Sequence, residues 1–99
     1  MNIYLLSQDI NNNYDTYDSV IVIAESEEEA RKIHPSEYST HVENNEWYGT
    51  YADKSNGTYP TGSHEWIPYS EINKLSVDLI GTANENQKKG VVLASFNAG

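Results

Sequence analysis

The sequence predicts an α+β fold: a two-layer sandwich in which a mostly antiparallel β-sheet carries one short helix on one face. Three observations lead there. Strand-like segments occupy both ends of the chain, a single capped helical segment follows the second of them, and an aromatic-rich insert spans residues 36–68. The order strand, strand, helix, insert, strand, strand is satisfied most economically by one sheet with the helix laid across it. Nothing repeats internally and no linker divides the chain, so residues 1–99 are expected to form a single domain.

The first strand runs from Asn2 to Gln8, with Ile3 and Leu5 on one face and Tyr4 and Leu6 on the other. A polar turn follows, Asp9 to Tyr17. Ser19 to Ala24 is the strongest strand, and its unbroken run Val20-Ile21-Val22-Ile23 predicts burial on both faces and a central position in the sheet. Ser26 with Glu29 fits a capping box, and Glu27 and Glu28 complement the positive end of a helix dipole. Ala30 and Ile33 give that helix its inward stripe. Pro35 ends it near His34 after roughly two to three turns. Within the insert, Glu46 to Tyr51 reads as a strand and Asn56-Gly57 as a turn into Thr58-Tyr59. Pro68 to Lys74 predicts one helical turn. Leu75 to Ala83 and Gly90 to Phe96 then read as an antiparallel hairpin.

Composition narrows the function classes. There is no cysteine, which excludes disulfides and thiolate chemistry. The N-terminal Met1 to Gln8 lacks the basic start and long apolar run of a signal peptide, and no segment is long enough to span a membrane, so a soluble intracellular protein is expected. Fifteen acidic against six basic residues give a net charge of −9. The six cations are dispersed rather than striped, which argues against direct nucleic-acid binding and favours basic partners.

Motifs for catalysis are missing. His34, His41 and His64 are widely spaced and read as surface histidines; His64-Glu65 lacks the second His of a zinc-protease helix, and Pro68 follows too closely. The Asp15 and Asp18 loop lacks the Gly and terminal Glu of an EF-hand. No GxSxG elbow and no phosphate loop occurs, so the expectation is a non-enzymatic protein without cofactor or metal.

The aromatic insert is the informative segment. Trp47, Tyr48, Tyr51, Tyr59, Trp66 and Tyr69 sit among Gly, Asn, Ser and Thr. Such rings gather at interfaces, and each base stacked on one contributes about 1–3 kcal/mol. Two readings stand together for Trp47 and Trp66, core or contact surface. Tyr48, Tyr51 and Tyr59 are the candidate contacts, with Arg31 and Lys54 as candidate phosphate partners. The Tyr14 and Tyr17 turn is a second candidate surface, with hairpin-end packing as its alternative.

Three segments, Tyr4 to Gln8 with Tyr14 to Ser19, Ala24 to Pro35, and Gly90 to Gly99, resemble a group of small, largely uncharacterised accessory proteins of phages and prophages. The resemblance implies action in the host bacterial cytoplasm against a defence system. Two modes follow from it: sequestering a nucleotide-derived immune signal by aromatic stacking, or blocking a basic, nucleic-acid-handling defence protein with the acidic surface. A docking role with homo-oligomer formation through exposed rings is the third expectation.

Overall fold

The computed structural model describes residues 1–12, 14–51, 57–62 and 65–97. Its elements are β1 (Asn2–Ser7), β2 (Thr16–Ala24), α1 (Glu27–Ala30), β3 (His41–Glu43), β4 (Glu46–Thr50) and β5 (Thr58–Pro60). A 3-10 helix (Tyr69–Lys74), β6 (Ser76–Thr82) and β7 (Gly90–Asn97) complete the chain. A four-stranded sheet has the order β6-β1-β2-β7, and β3-β4-β5 form a small second sheet; every pairing is antiparallel. The α+β, mostly antiparallel architecture predicted from the sequence is the one observed. No helix among the described residues is long and apolar enough to cross a membrane.

One side of the large sheet makes the core. Tyr4, Leu6, Val20, Val22 and Ala24 pack with Ala30, Trp47, Trp66, Ile67 and Leu75. In register, Tyr4 lies opposite Val22 and Leu6 opposite Val20, so these side chains share one face. Trp66 is fully buried, and Trp47 is 2% exposed with its Nε1–H donating to Ile67 O at 2.8 Å. Burying an indole of about 200 Å2 at about 25 cal/mol per Å2 contributes about 5 kcal/mol, so these two rings dominate the second layer.

The helix is shorter than expected. Ser26 caps it, its Oγ accepting the Glu29 N–H at 3.2 Å, but the α geometry stops at Ala30, one turn from its start. Beyond it the hydrogen bonding tightens, the Lys32 and Ile33 N–H groups donating to Glu29 O and Ala30 O three residues back, while the Arg31 side chain anchors the segment. Its Nη1 donates to Ile72 O at 2.9 Å and Leu75 O at 3.1 Å, and its Nη2 pairs with Glu27 at 2.9 Å. The chain is thereby tied to the end of the 3-10 helix and continues to Pro35 as turns.

The predicted hairpin of the last two strands does not form. β6 pairs with β1 and β7 with β2, placing them at opposite edges of the sheet. The connection between them passes the end of the sheet where β1 begins and β2 stops; Ala83 N–H donates to Met1 O at 2.9 Å along this route. A connection this long has no need of a tight turn. Each terminal strand therefore finds an open edge of the β1–β2 pair instead of its sequence neighbour.

The β1–β2 turn is held from below. Gln8 Nε2 donates to Asn11 O (2.7 Å) and Tyr17 O (2.8 Å), while its Oε1 accepts the Asn11 N–H (2.8 Å). The Tyr17 N–H reaches Glu65 O at 2.7 Å, joining this turn to the segment that carries Trp66. At the β3–β4 hairpin, Asn44 and Asn45 both have positive φ (49° and 62°), as a two-residue type I′ turn requires. The predicted Asn56-Gly57 turn falls partly outside the described residues, although the Tyr51 N–H does bond Gly57 O at 3.2 Å.

Gly49 marks a close approach within the small-sheet region. A Cβ there would strike the Tyr38 carbonyl and lie 3.0 Å from both Thr61 Cγ2 and Tyr59 Cζ. The obstruction is backbone and cannot swing away. We therefore expect Gly49→Ala to cost about 2–3 kcal/mol, read from the urea midpoint; an unchanged midpoint would show that Tyr38, Tyr59 and Thr61 do not close over β4 as described.

Candidate functional site: a cleft between α1, β3 and β7

A cleft of about 960 Å3 opens where the segment after α1 meets β3 and the start of β7. Its lining includes Lys32, Ile33, His34, Val42, Tyr69 and Lys89. The volume lies within the range of small-molecule sites, roughly 300–1,000 Å3. Arg31, anchored to the two carbonyls of the 3-10 helix, sets the path of the chain behind it, and Lys32 and Ile33 follow directly into the cleft wall. Lys89 comes from the far end of the sequence. Its Nζ meets Glu29 Oε1 at 2.9 Å and so joins the start of β7 to α1. This hydrogen bond, outweighing the opposing effect of burial and assisted by the Lys89 and Lys32 charges, holds the Glu29 carboxyl below its ordinary range.

An aromatic row backs the cleft. His34 packs edge-on to Trp47 (5.0 Å, 85°), and Trp47 edge-on to Tyr69 (5.2 Å, 78°). The histidine is not at the surface, as its spacing suggested; it is 7% exposed. Burial pushes its pKa down to about 4 from 6.5. Nδ1 accepts the Ser36 N–H at 2.9 Å, so the neutral ring carries its proton on Nε2.

On the opposite face of the small sheet, His41 lies between Glu43 (Nε2 to Oε2, 2.8 Å) and Thr40 (Nδ1 to Oγ1, 2.8 Å). Thr58 Oγ1 donates to the same carboxylate oxygen at 2.8 Å. The His41 bond first, then the Thr58 bond, keeps Glu43 below the usual carboxylate range. Carboxylate, imidazole and hydroxyl in this order resemble an activated nucleophile. However, the Thr40 amide, a natural donor to a developing oxyanion, is already bonded to Tyr48 O at 2.9 Å. The network instead fixes the His41 ring at the cleft rim.

The rings singled out in the sequence do not converge on one concavity. Trp47 and Trp66 are core, and Trp66 Nε1 has no hydrogen-bond partner among the described residues. Trp47 also edges a smaller cleft of about 260 Å3 with Pro60, Pro68 and Tyr69. Tyr48 is half-buried beside His41 (6.1 Å between centroids), on the face away from Trp47. Tyr51 and Tyr59 pack on each other at 4.7 Å. Tyr14 stands 76% exposed at the β1–β2 turn. Tyr17 packs edge-on to Phe96 at 4.7 Å; burial, then Glu65 and Glu37, raise its pKa. Arg31 is engaged by two carbonyls and Glu27, while Lys54 and His64 lie outside the described residues. Among the described residues no group of three or more metal-ligating side chains comes together.

Sequence reasoning missed Lys32, His34, Tyr69 and Lys89 as a group. Lys32 and His34 were legible only as the tail of a longer helix, and Lys89 as part of a polar connection. Nothing local pairs them. Their meeting depends on β7 crossing to the β2 edge.

His34 gives the cleft wall a pH signature. Its folded pKa lies below the unfolded value, so its contribution is complete above pH 6.5 and is lost as pH falls towards 4. The full loss is on the order of 3 kcal/mol. Urea midpoints should hold level above pH 6.5 and decline below it. His34→Asn, whose carbonyl can accept the Ser36 N–H, should remove most of the decline between pH 6.5 and 5; an equal slope in both proteins would contradict the assignment. Comparison with protein-family models, with curated proteins and with solved structures returned no match.

Proposed function

We propose that this chain is a non-enzymatic binding protein that holds a nucleotide-derived, anionic small molecule in the α1–β3–β7 cleft. In a phage-type setting such binding would sequester a bacterial immune signal in the host cytoplasm. The observation that carries the reading is the cleft itself. In a chain of net charge −9 with only six Lys and Arg, two of those cations, Lys32 and Lys89, line one nucleotide-sized concavity. The cleft also presents a phenol ring, Tyr69, and the aliphatic side chains of Ile33 and Val42 for the uncharged part of a ligand.

Glu29 and Glu37 also line the cleft and balance the two lysines, so phosphate binding there requires the Glu29–Lys89 pair to open. Glu29 is paired with Lys89, and both side chains are substantially exposed, at 38% and 49%. An exposed pair of this kind contributes little to stability. Lys89 is therefore free to exchange a carboxylate for a phosphate at small cost. Lys32 adds a second donor on the same wall. Phosphate contacts with ammonium groups are charge-assisted, each contributing about 1.5–3 kcal/mol.

A second reading rests on a different observation. Glu25, Glu27 and Glu28 are all exposed where β2 passes into α1. This acidic run suits the basic groove of a nucleic-acid-handling protein, which the chain would block. Capture from host lysate at low and high salt separates the two ideas. Retention that ignores salt would remove the charge-based inhibitor.

For the principal reading, isothermal titration against cyclic and ADP-ribose-type nucleotides should find at least one ligand in the micromolar range or tighter. Lys32→Ala and Lys89→Ala should each weaken it about tenfold or more while the urea midpoint stays within about 0.5 kcal/mol. Absence of heat across the panel at high-micromolar protein, or equal affinity in both variants, would overturn the proposal.

A further inference from the structure

Among the described residues, the outer face of the four-stranded sheet leaves apolar side chains in contact with solvent. Ile3 lies opposite Ile23, Leu5 opposite Ile21, and Ile21 opposite Leu93. These five side chains share the face turned away from Tyr4, Leu6, Val20 and Val22. Ile23 is itself buried, at 4% exposed, whereas Ile3, Leu5 and Ile21 are half-buried and Leu93 is 64% exposed, so the open part of this face centres on Leu5, Ile21 and Leu93. An antiparallel sheet with one wet face ordinarily alternates apolar-in with polar-out. This sheet does not: Val20-Ile21-Val22-Ile23 is apolar on both sides, and so is Ile3-Tyr4-Leu5-Leu6. The sequence encodes two apolar faces, and the described residues cover the outer one only in part.

We infer that the outer face is a homodimer interface, in which two copies pack sheet on sheet about a twofold axis. Charge identifies the second copy as the occupant. At the outward positions set by strand register, the remaining residues are serines (Ser7, Ser19, Ser76, Ser95) and glycines, apart from Asp78 on the edge strand β6; exposed Asp18, at the β2 irregularity, adds a second carboxylate whose Oδ1 accepts the Ser19 hydroxyl at 3.2 Å. A partner recognised by charge finds almost nothing to pair with here. A second copy meets the same largely apolar surface, and with only Asp18 and Asp78 on it two chains of −9 can approach through this face with little repulsion. A twofold contact needs only one self-complementary patch.

The extent is sufficient. Four strands at about 4.8 Å spacing and about 3.3 Å per residue present on the order of 400 Å2 of projected sheet. Side-chain relief raises the accessible area towards the roughly 800 Å2 per partner of a standard interface. Two identical sheets pack face to face at about 10 Å with a mutual rotation near 30°, which interdigitates Ile21, Leu5 and Leu93 with their copies. Asp78 on the edge then lies away from the centre. The contact is independent of the cleft, which opens on the other side of the sheet.

Sedimentation equilibrium tests this directly. At high-micromolar concentration the mass should be twice that of the chain, falling to the monomer on dilution. Added salt should tighten the dimer several-fold, because it screens repulsion between two acidic copies. Leu93→Lys and Ser95→Glu change outward side chains and should each halve the mass, with the far-UV circular dichroism of the wild type. Tyr14→Lys, on an exposed turn, should leave the dimer intact. A wild-type monomer at every concentration, a dimer that persists in Ser95→Glu, or a dimer weakened by salt would overturn the inference. Should Leu93→Lys fail to fold, Ser95→Glu decides.

Discussion

The structure depends on the Trp47 indole lying over a sheet that its own helix cannot cover. α1 is one turn long and buries only Ala30. A helix of that length supplies no apolar stripe and no independent stability. The inner face of β1 and β2 must still be removed from water, and Trp47, Trp66 and Ile67 do it. Trp47 is fixed by its bond to Ile67 O and by the rings of His34 and Tyr69 on its two sides. The small sheet β3-β4-β5 is thus held against the large one through a side chain of β4. The cleft and the buried histidine both follow from that contact.

This explains which parts of the fold were legible in the sequence. Asn2–Ser7 and Ser19–Ala24 announce themselves through local pattern, and Ser26 marks the start of α1 through a cap that forms. The general class follows from these. Pro35 proved a permissive stop: it disfavours helix at His34 without requiring helix up to it, and the chain passes from α to i→i+3 bonds at Lys32 and Ile33, where the Arg31 clamp on Ile72 and Leu75 holds it. That clamp spans more than forty positions and has no local signature. The pairing of β6 with β1 and of β7 with β2 is equally non-local. Asn44-Asn45 is different. Two asparagines between strand-like residues are a readable type I′ signal, and the structure uses them as one.

The aromatic insert was visible as a concentration of rings but not as a division of labour. Alternation along β4 decides it. Trp47 and Gly49 face the large sheet, Tyr48 faces away with His41, and the missing side chain at Gly49 admits Tyr59, on which Tyr51 then packs. A single residue of register would exchange these roles. The cleft escaped notice for the opposite reason. Its cations are a turn residue and a connection residue, brought together only by the route of the chain.

β7 links the two surfaces that matter most. Gly90 and Val91 line the cleft, whereas Leu93 points to the outer face beside Ile21. The register of β7 against β2 shifts between these positions, where Val92 is the extra residue. A β-bulge of this kind re-aims the side chains on either side of it. Without the shift, strict alternation would put Val91 and Leu93 on the same face. With it, one edge strand gives a wall to the cleft and an apolar side chain to the opposite surface.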